Sequence, residues 1–206
     1  MHYTIVKFTL IVICLIIAVL TRKEALNRRD WAFLVMALIF TLGADFFLLV
    51  VPNYVVGVTI FWGAHIFLAL RFGGGRIWPF FFLALPLSIA SLFFVGDALV
   101  ATALVYASLF VISYTTMILA LKKKKFPQPN SILIAAGMSL FVICDIFVAL
   151  FNLGGMGLVS HAISEFAVDA IWLFYAPAQL CLALSAKSFV KTSDKLASSG
   201  GLESIK

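Results

Sequence analysis

Charged residues are scarce in this sequence. Only 12% of its 206 residues are Asp, Glu, Lys or Arg, whereas 64% are apolar and the mean hydropathy is +1.13. Soluble globular domains are about 25% charged and about 45–50% apolar. The shortage of charge excludes an ordinary soluble domain and indicates an integral membrane protein, for which the length predicts a single domain.

The sequence also has few cysteines and lacks the common catalytic motifs. Its three cysteines, Cys14, Cys144 and Cys181, each lie inside an apolar run, which favours a packing role over a disulfide framework. No His and Cys residues have zinc-ligand spacing, and the chain contains neither a Gly-x-Ser-x-Gly motif nor a phosphate-binding glycine loop. We therefore expect neither a metal nor a cofactor.

Long apolar runs make up most of the chain. Each has about 17–27 residues, and about 20 residues of α-helix cross the hydrocarbon core of a bilayer. None alternates apolar and polar residues as barrel strands do. The sequence predicts an all-α bundle of seven transmembrane helices, a single domain over 1–190, followed by a flexible cytoplasmic tail over 191–206. The predicted helices are 4–20, 31–51, 54–70, 77–95, 98–121, 131–151 and about 160–186.

Basic residues are concentrated in every second gap between these runs. The net charge of +6 therefore indicates topology determinants and contacts with anionic headgroups rather than binding to nucleic acid. Of the 15 Lys and Arg residues, all except Lys7 lie on one side, so the positive-inside rule predicts a cytoplasmic C-terminus and an outer N-terminus. We expect a multi-pass protein of the cell membrane, the cytoplasmic membrane if the source is a bacterium.

Two carboxylates stand inside these apolar runs. Asp45 and Asp145 are 100 residues apart, and each lies about six residues from the outer end of its helix, roughly 9 Å deep. An ionised carboxylate at such a depth costs roughly 2.5–3.5 kcal/mol, so its retention points to a function. We expect the two side chains to face one another in a shared, water-reachable pocket. The common offset also suggests a weak parallel repeat in a 3+1+3 arrangement of helices.

Further polar residues are expected around the same pocket, in the outer half of the bundle. Glu165 and Asp169 share one face of the last helix because they are four residues apart. Lys7 and Glu165 have the alternative of reaching the membrane interface, and a lone buried histidine is more often a packing residue. The candidate supporting residues are Lys7, His65, Tyr106, Tyr114, Glu165, Asp169, Tyr175 and Gln179.

The pair of carboxylates favours two kinds of function. Two carboxylates held close together in a low dielectric do not readily ionise at the same time, so one keeps its proton while the other is charged. This state suits general acid–base catalysis, and it equally suits a small proton-coupled transporter. A membrane sensor or scaffold is a third alternative with less support.

Short motifs occur in a recognisable order between residue 5 and residue 185. They are Leu42-Gly43-Ala44-Asp45, Gly63-Ala64-His65, Tyr106, Met117, Gly137, Cys144-Asp145 and Tyr175-Ala176-Pro177-Ala178-Gln179. In order and spacing they resemble the YhhN-like membrane proteins, whose characterised members are lysoplasmalogenases. The sequence departs from that family where Ala44 interrupts a Leu-Gly-Asp motif and where Cys144 replaces a serine. Lys7-Phe8 resembles the start of the second of the family's eight helices, so we expect the first of them to be missing.

The resemblance implies a hydrolase that cleaves the vinyl-ether bond of a lysoplasmalogen and releases a fatty aldehyde and a glycerophospho-alcohol. Its substrate would be a lysophospholipid of the membrane, and the reaction would need no metal. Asp45 and Asp145 would act as acid and base, in either order, by the logic of glycosidases. Lys7 would keep one of them ionised or meet the lipid phosphate. Water or the headgroup would be oriented by His65, Tyr175 and Gln179.

Overall fold

Six long helices account for nearly all of the chain that the structure describes. The computed structural model describes residues 2–74 and 97–189, with the single positions 86 and 90 between them. All six helices are long and apolar enough to cross a membrane, and these residues form no β-strand, only an isolated bridge between Ala25 and Lys187. The all-α, multi-pass prediction is confirmed. The helices are α1 His2–Leu20, α2 Arg28–Asp45, α3 Tyr54–Gly73, α4 Ala98–Lys122, α5 Asn130–Gly155 and α6 His161–Leu184.

Polar side chains set where three of the helices begin. Asn27 Oδ1 accepts a hydrogen bond from the N–H two residues on, at 2.8 Å, and Asn53 Oδ1 from the N–H three residues on, at 3.2 Å. Asp97 Oδ1 accepts hydrogen bonds from the N–H groups two and three residues on, at 2.8 and 3.1 Å. These caps satisfy N–H groups that a helix leaves unpaired in its first turn. Because of the cap at Asn27, α2 begins at Arg28, about one turn before the start predicted from the apolar run at residue 31.

The helices form a ring in which each contacts its neighbours. Helix α3 packs between α2 and α4, α1 packs between α2 and α6, and α5 packs along α6, with sparser contacts between α4 and α5. Two glycines allow close approach, because a Cβ at Gly137 would lie 2.9 Å from Leu182 and one at Gly63 would collide with the ring of Phe40.

A network of hydrogen bonds ties the basic end of the bundle together. Arg71, which is 2% exposed, donates from Nε and Nη2 to the two carboxylate oxygens of Asp30, at 3.0 Å each, and from Nη1 to Ser185 Oγ at 2.9 Å. Asn130 Nδ2 donates to the backbone carbonyl of Ser185, and Lys125 Nζ donates to that of Arg71, both at 2.8 Å. These bonds join the first turns of α2 and α5 to the ends of α3 and α6 and to the loop after α4.

The network also fixes the direction of the two helices that carry the candidate acids. Because α2 and α5 both begin at the basic end, they run parallel, and Asp45 and Asp145 both lie roughly 22–26 Å from that end. The predicted helix at 77–95, apart from positions 86 and 90, and the tail at 191–206 lie outside the described residues. The seventh span, the membrane orientation and the 3+1+3 repeat remain predictions.

Replacing Arg71 with methionine should destabilise the bundle, because Asp30 would become a largely buried carboxylate without a partner. Breaking a buried ion pair costs about 3–5 kcal/mol, whereas an exposed pair contributes about 0–1 kcal/mol. Lys187→Met is the matched control, since it removes the exposed pair between Lys187 Nζ and Glu24 at 2.9 Å. Thermal unfolding in detergent should show a large fall in Tm for Arg71→Met and a small one for Lys187→Met. Equal falls would contradict this role of Arg71.

Candidate active site

The carboxyl group of Asp45 is buried at the end of α2. Its side chain is 4% exposed, and Tyr175 of α6, which is 5% exposed, donates its hydroxyl to Asp45 Oδ2 at 2.7 Å. A single π-helical turn, Phe46–Val50, follows directly. Such turns are frequent at functional sites because they shift the faces on which the flanking residues lie. Asp45 is thus held by a hydrogen bond at the point where its helix changes register.

The carboxyl group of Asp145 belongs to a longer chain of hydrogen bonds. Tyr106 of α4 donates its hydroxyl to Asp145 Oδ2 at 2.8 Å, and the same phenolic oxygen lies 3.2 Å from His65 Nε2 of α3. His65 Nδ1 is 3.0 Å from Ser113 Oγ, and both residues are fully buried. Ser113 Oγ is 2.8 Å from the backbone carbonyl of Phe110. The chain therefore runs without a break from the carboxyl group into the core.

This chain has two complete hydrogen-bond patterns, because each hydroxyl and a neutral imidazole carry one hydrogen apiece. When Asp145 is ionised, Tyr106 donates to it, His65 donates from Nε2 to Tyr106, and Ser113 donates to Nδ1. When Asp145 is protonated, every one of these bonds reverses, and Ser113 donates to the Phe110 carbonyl. Asp145 can therefore gain or lose a proton without leaving any side chain of the chain unpaired.

Asp45 has no comparable chain. Within the described residues its carboxyl group is hydrogen-bonded to Tyr175, and the Tyr175 hydroxyl has no second acceptor there. Protonation of Asp45 would give this pair two hydrogens and one hydrogen bond, so either the carboxyl or the phenolic hydrogen would be left unpaired in an apolar interior, which is costly. The two carboxyl groups thus differ in environment, and Asp45 is the better suited to remain ionised.

Phe141 of α5 contacts a residue of each of these two hydrogen-bonded groups. Its ring centroid is 5.5 Å from that of His65 and 5.7 Å from that of Tyr175. Cys144, one turn further along α5 and next to Asp145, is also buried. Both pairs therefore belong to one layer of buried and half-buried side chains with aromatic walls, called the buried layer below. The two carboxyl groups make no hydrogen bond to each other, and a water-reachable pocket between them remains a prediction.

The side chain of Trp172 lies between Lys7 and the hydrogen-bonded pair of Asp45 and Tyr175. Lys7 Nζ lies 4.6 Å from the ring centroid of Trp172, and that ring meets Tyr175 edge to face at 5.3 Å. Asp169, three residues before Trp172 on α6, is exposed. Lys7 is therefore held beside the site by a cation–π contact rather than by a bond to Asp45.

The remaining predicted residues lie at different distances from this layer. Tyr114 stacks on Phe110, with centroids 6.2 Å apart, and makes no hydrogen bond among the described residues. The Glu165 side chain is 72% exposed and lies 3.5 Å from His161. Gln179 is 1% exposed and lies one turn from Tyr175 on the same face of α6, and its Nε2 has no hydrogen-bond partner among the residues that the structure describes. The structure brings together five predicted residues: Asp45, Asp145, His65, Tyr106 and Tyr175.

Two residues of the site were not predicted from the sequence. Ser113 follows Tyr106 by seven residues, two turns along the same face of α4, and Trp172 lies three residues from both Asp169 and Tyr175. Helical spacing could have drawn attention to both. It could not have shown that Ser113 meets a histidine from another helix.

Comparison with known proteins gives a family and no individual relative. The model of the YhhN family matches residues 3–186, which is nearly the whole chain. No curated protein and no solved structure matches it. The match covers all six described helices and every residue of the buried layer. The chain belongs to the YhhN family.

Proposed function

We propose that the protein is a membrane-embedded hydrolase that cleaves the vinyl-ether bond of lysoplasmalogen-type lysophospholipids. The products would be a fatty aldehyde and a glycerophospho-alcohol. The observation that carries the proposal is a pair of carboxyl groups, that of Asp45 buried and that of Asp145 half-buried, each hydrogen-bonded to a tyrosine from another helix. Phe141 contacts both hydrogen-bonded groups, through Tyr175 and through His65. Membership of the YhhN family supports it, since that family is consistent with a membrane hydrolase.

Hydrolysis of a vinyl ether begins with protonation at carbon. In the proposed reaction Asp145 gives its proton to the outer vinyl carbon, and the carbon bonded to oxygen becomes an oxocarbenium ion. The ionised Asp45 stabilises that cation and takes a proton from the water that attacks it, as paired carboxylates do in glycosidases. The hemiacetal then breaks, Asp45 returns its proton to the leaving oxygen, and the hemiacetal hydroxyl restores the proton of Asp145.

The hydrogen-bond patterns favour this assignment of roles. Both carboxyl groups change protonation state twice in each turnover, but Asp145 rests protonated, and the chain through Tyr106, His65 and Ser113 can reverse with it each time. Asp45 rests ionised, the state in which the Asp45–Tyr175 pair has no unpaired hydrogen. The aromatic walls of Phe61, Phe110 and Phe141 offer apolar surface to an alkenyl chain.

The alternative is a small proton-coupled transporter. Chains of carboxyl, histidine and hydroxyl groups within a membrane also serve as proton relays, and the chain from Asp145 to Ser113 has this composition. Assays of the purified protein in proteoliposomes distinguish the hydrolase from the transporter. Aldehyde release without a gradient supports the hydrolase, whereas gradient-driven accumulation of a solute with no aldehyde release supports the transporter.

Substitution of either carboxyl group should abolish hydrolysis. Asp45→Asn and Asp145→Asn are each expected to lower the rate of aldehyde release from a lysoplasmalogen by about 10²-fold or more, because each removes an acid or a base. Glu165→Gln is the control, since that carboxylate is exposed and outside the buried layer. The saturated alkyl-ether analogue should not react, because it has no carbon to protonate. Full activity in either Asn variant would refute the mechanism.

Tyr106→Phe should slow turnover more than Tyr114→Phe, although both remove one hydroxyl from α4. The first change takes away the donor to Asp145 and the link to His65, whereas Tyr114 has no hydrogen bond in the described residues. A hydrogen bond to a charged group contributes about 1.5–3 kcal/mol, which corresponds to about 10- to 100-fold in kcat. Steady-state kinetics on the detergent-purified protein would measure the difference. Equal kcat values would show that the chain does not serve Asp145.

A further inference from the structure

A second polar site lies at the opposite end of the bundle from the two candidate acids. A cavity of about 420 Å³ opens between the first turn of α2, the end of α3 and the loop after α4. Three cationic side chains, Arg29, Arg71 and Lys125, line it together with one carboxylate, that of Asp30. The lining therefore has a net charge of +2, and none of these residues takes part in the proposed hydrolysis.

The three cations are not equivalent. Arg71 is neutralised by its two bonds to Asp30, and Lys125 Nζ donates to the carbonyls of Arg71 and Phe72 at 2.8 and 2.9 Å. Arg29 has no ion pair within the described residues, and its guanidinium carbon lies 5.4 Å from the ring centroid of Phe33, itself part of the cavity wall. Arg29 is thus the cation best able to bind an incoming anion. Lys125 and Arg71 are held in the cavity wall by their own hydrogen bonds.

The walls of the cavity are apolar. They are formed by Leu26, Phe33, Leu70 and Phe126. The ring centroid of Phe126 lies 5.7 Å from the guanidinium carbon of Arg71 and 5.5 Å from Lys125 Nζ. The cavity lies where apolar helices meet basic loops, which is the depth of lipid headgroups. Burial lowers the pKa of the Lys125 ammonium group, an effect that Asp30 opposes and that a bound anion would also oppose.

We propose that this cavity binds the phosphate group of an anionic phosphate ester, with a glycerophospholipid headgroup as the source that its apolar walls favour. The guanidinium of Arg29 meets the phosphate oxygens, Lys125 and Arg71 supply the surrounding positive potential, and the apolar wall contacts the glycerol and the first carbons of the acyl chains. Basic pockets between transmembrane helices bind anionic headgroups in this manner. The proposal is independent of the reaction at the other end of the bundle.

Native mass spectrometry of the detergent-purified full chain tests it. Dioleoylphosphatidylglycerol should bind more tightly than dioleoylphosphatidylcholine, whose phosphate is neutralised within its own headgroup. Arg29→Gln should weaken phosphatidylglycerol binding about fivefold, since one basic residue near an anionic headgroup contributes about 1 kcal/mol. Arg29→Lys, which keeps the charge, should retain most of the affinity.

Arg28→Gln is the matched control, because it removes the same charge from the adjacent residue, which does not line the cavity. It should change the affinity less than twofold. Equal losses in Arg28→Gln and Arg29→Gln, or no preference for phosphatidylglycerol, would overturn the proposal. A soluble competitor, sn-glycerol 3-phosphate in large excess, distinguishes the source. Displacement of the lipid shows that the phosphate group alone is recognised, and persistence of the lipid shows that the apolar walls are also needed.

Discussion

A polar side chain inside this bundle must find its partner within the protein, because acyl chains offer no hydrogen bonds. The Asp45–Tyr175 pair joins α2 to α6, the chain from Asp145 joins α5 to α4 and α3, and the Asp30–Arg71 pair joins α2 to α3. Each of these contacts satisfies a group that would otherwise be costly to bury. Each therefore also fixes how two helices are rotated and how far one is shifted along the other.

The bundle separates its charges between its two ends, and α2 connects them. Asp30 in the first turn of α2 is bound by a guanidinium, whereas Asp45 at its last residue is bound by a hydroxyl. The ion pair between Arg71 and Asp30 joins α3 to α2, which suits a structural role. A hydroxyl beside Asp45 leaves the carboxyl group able to exchange a proton. The same helix thus carries one acid in an ion pair between helices and one that the proposed reaction would use.

The two candidate acids differ in the second neighbour of the tyrosine to which each is hydrogen-bonded. Tyr106 has His65 at 3.2 Å on its far side, so its hydrogen has two possible acceptors. Tyr175 has the ring of Trp172 beside it, and that ring offers no comparable acceptor. A carboxyl group that rests protonated is served by the first arrangement, and one that rests ionised is served by the second. This asymmetry is the physical basis for the roles proposed for Asp145 and Asp45.

The sequence by itself determined the all-α membrane architecture and singled out Asp45 and Asp145, because hydropathy and the cost of burying a carboxylate depend on the local run of residues. Only the tertiary structure decided their partners. Tyr175 lies 130 residues from Asp45 along the chain, and Tyr106 lies 39 from Asp145. In the tertiary structure Glu165 and Asp169 are exposed, although the sequence placed both near the pocket. Depth in a helix follows from counting residues, whereas the direction of a side chain depends on how the helix rotates against its neighbours, which the packing of the whole bundle sets.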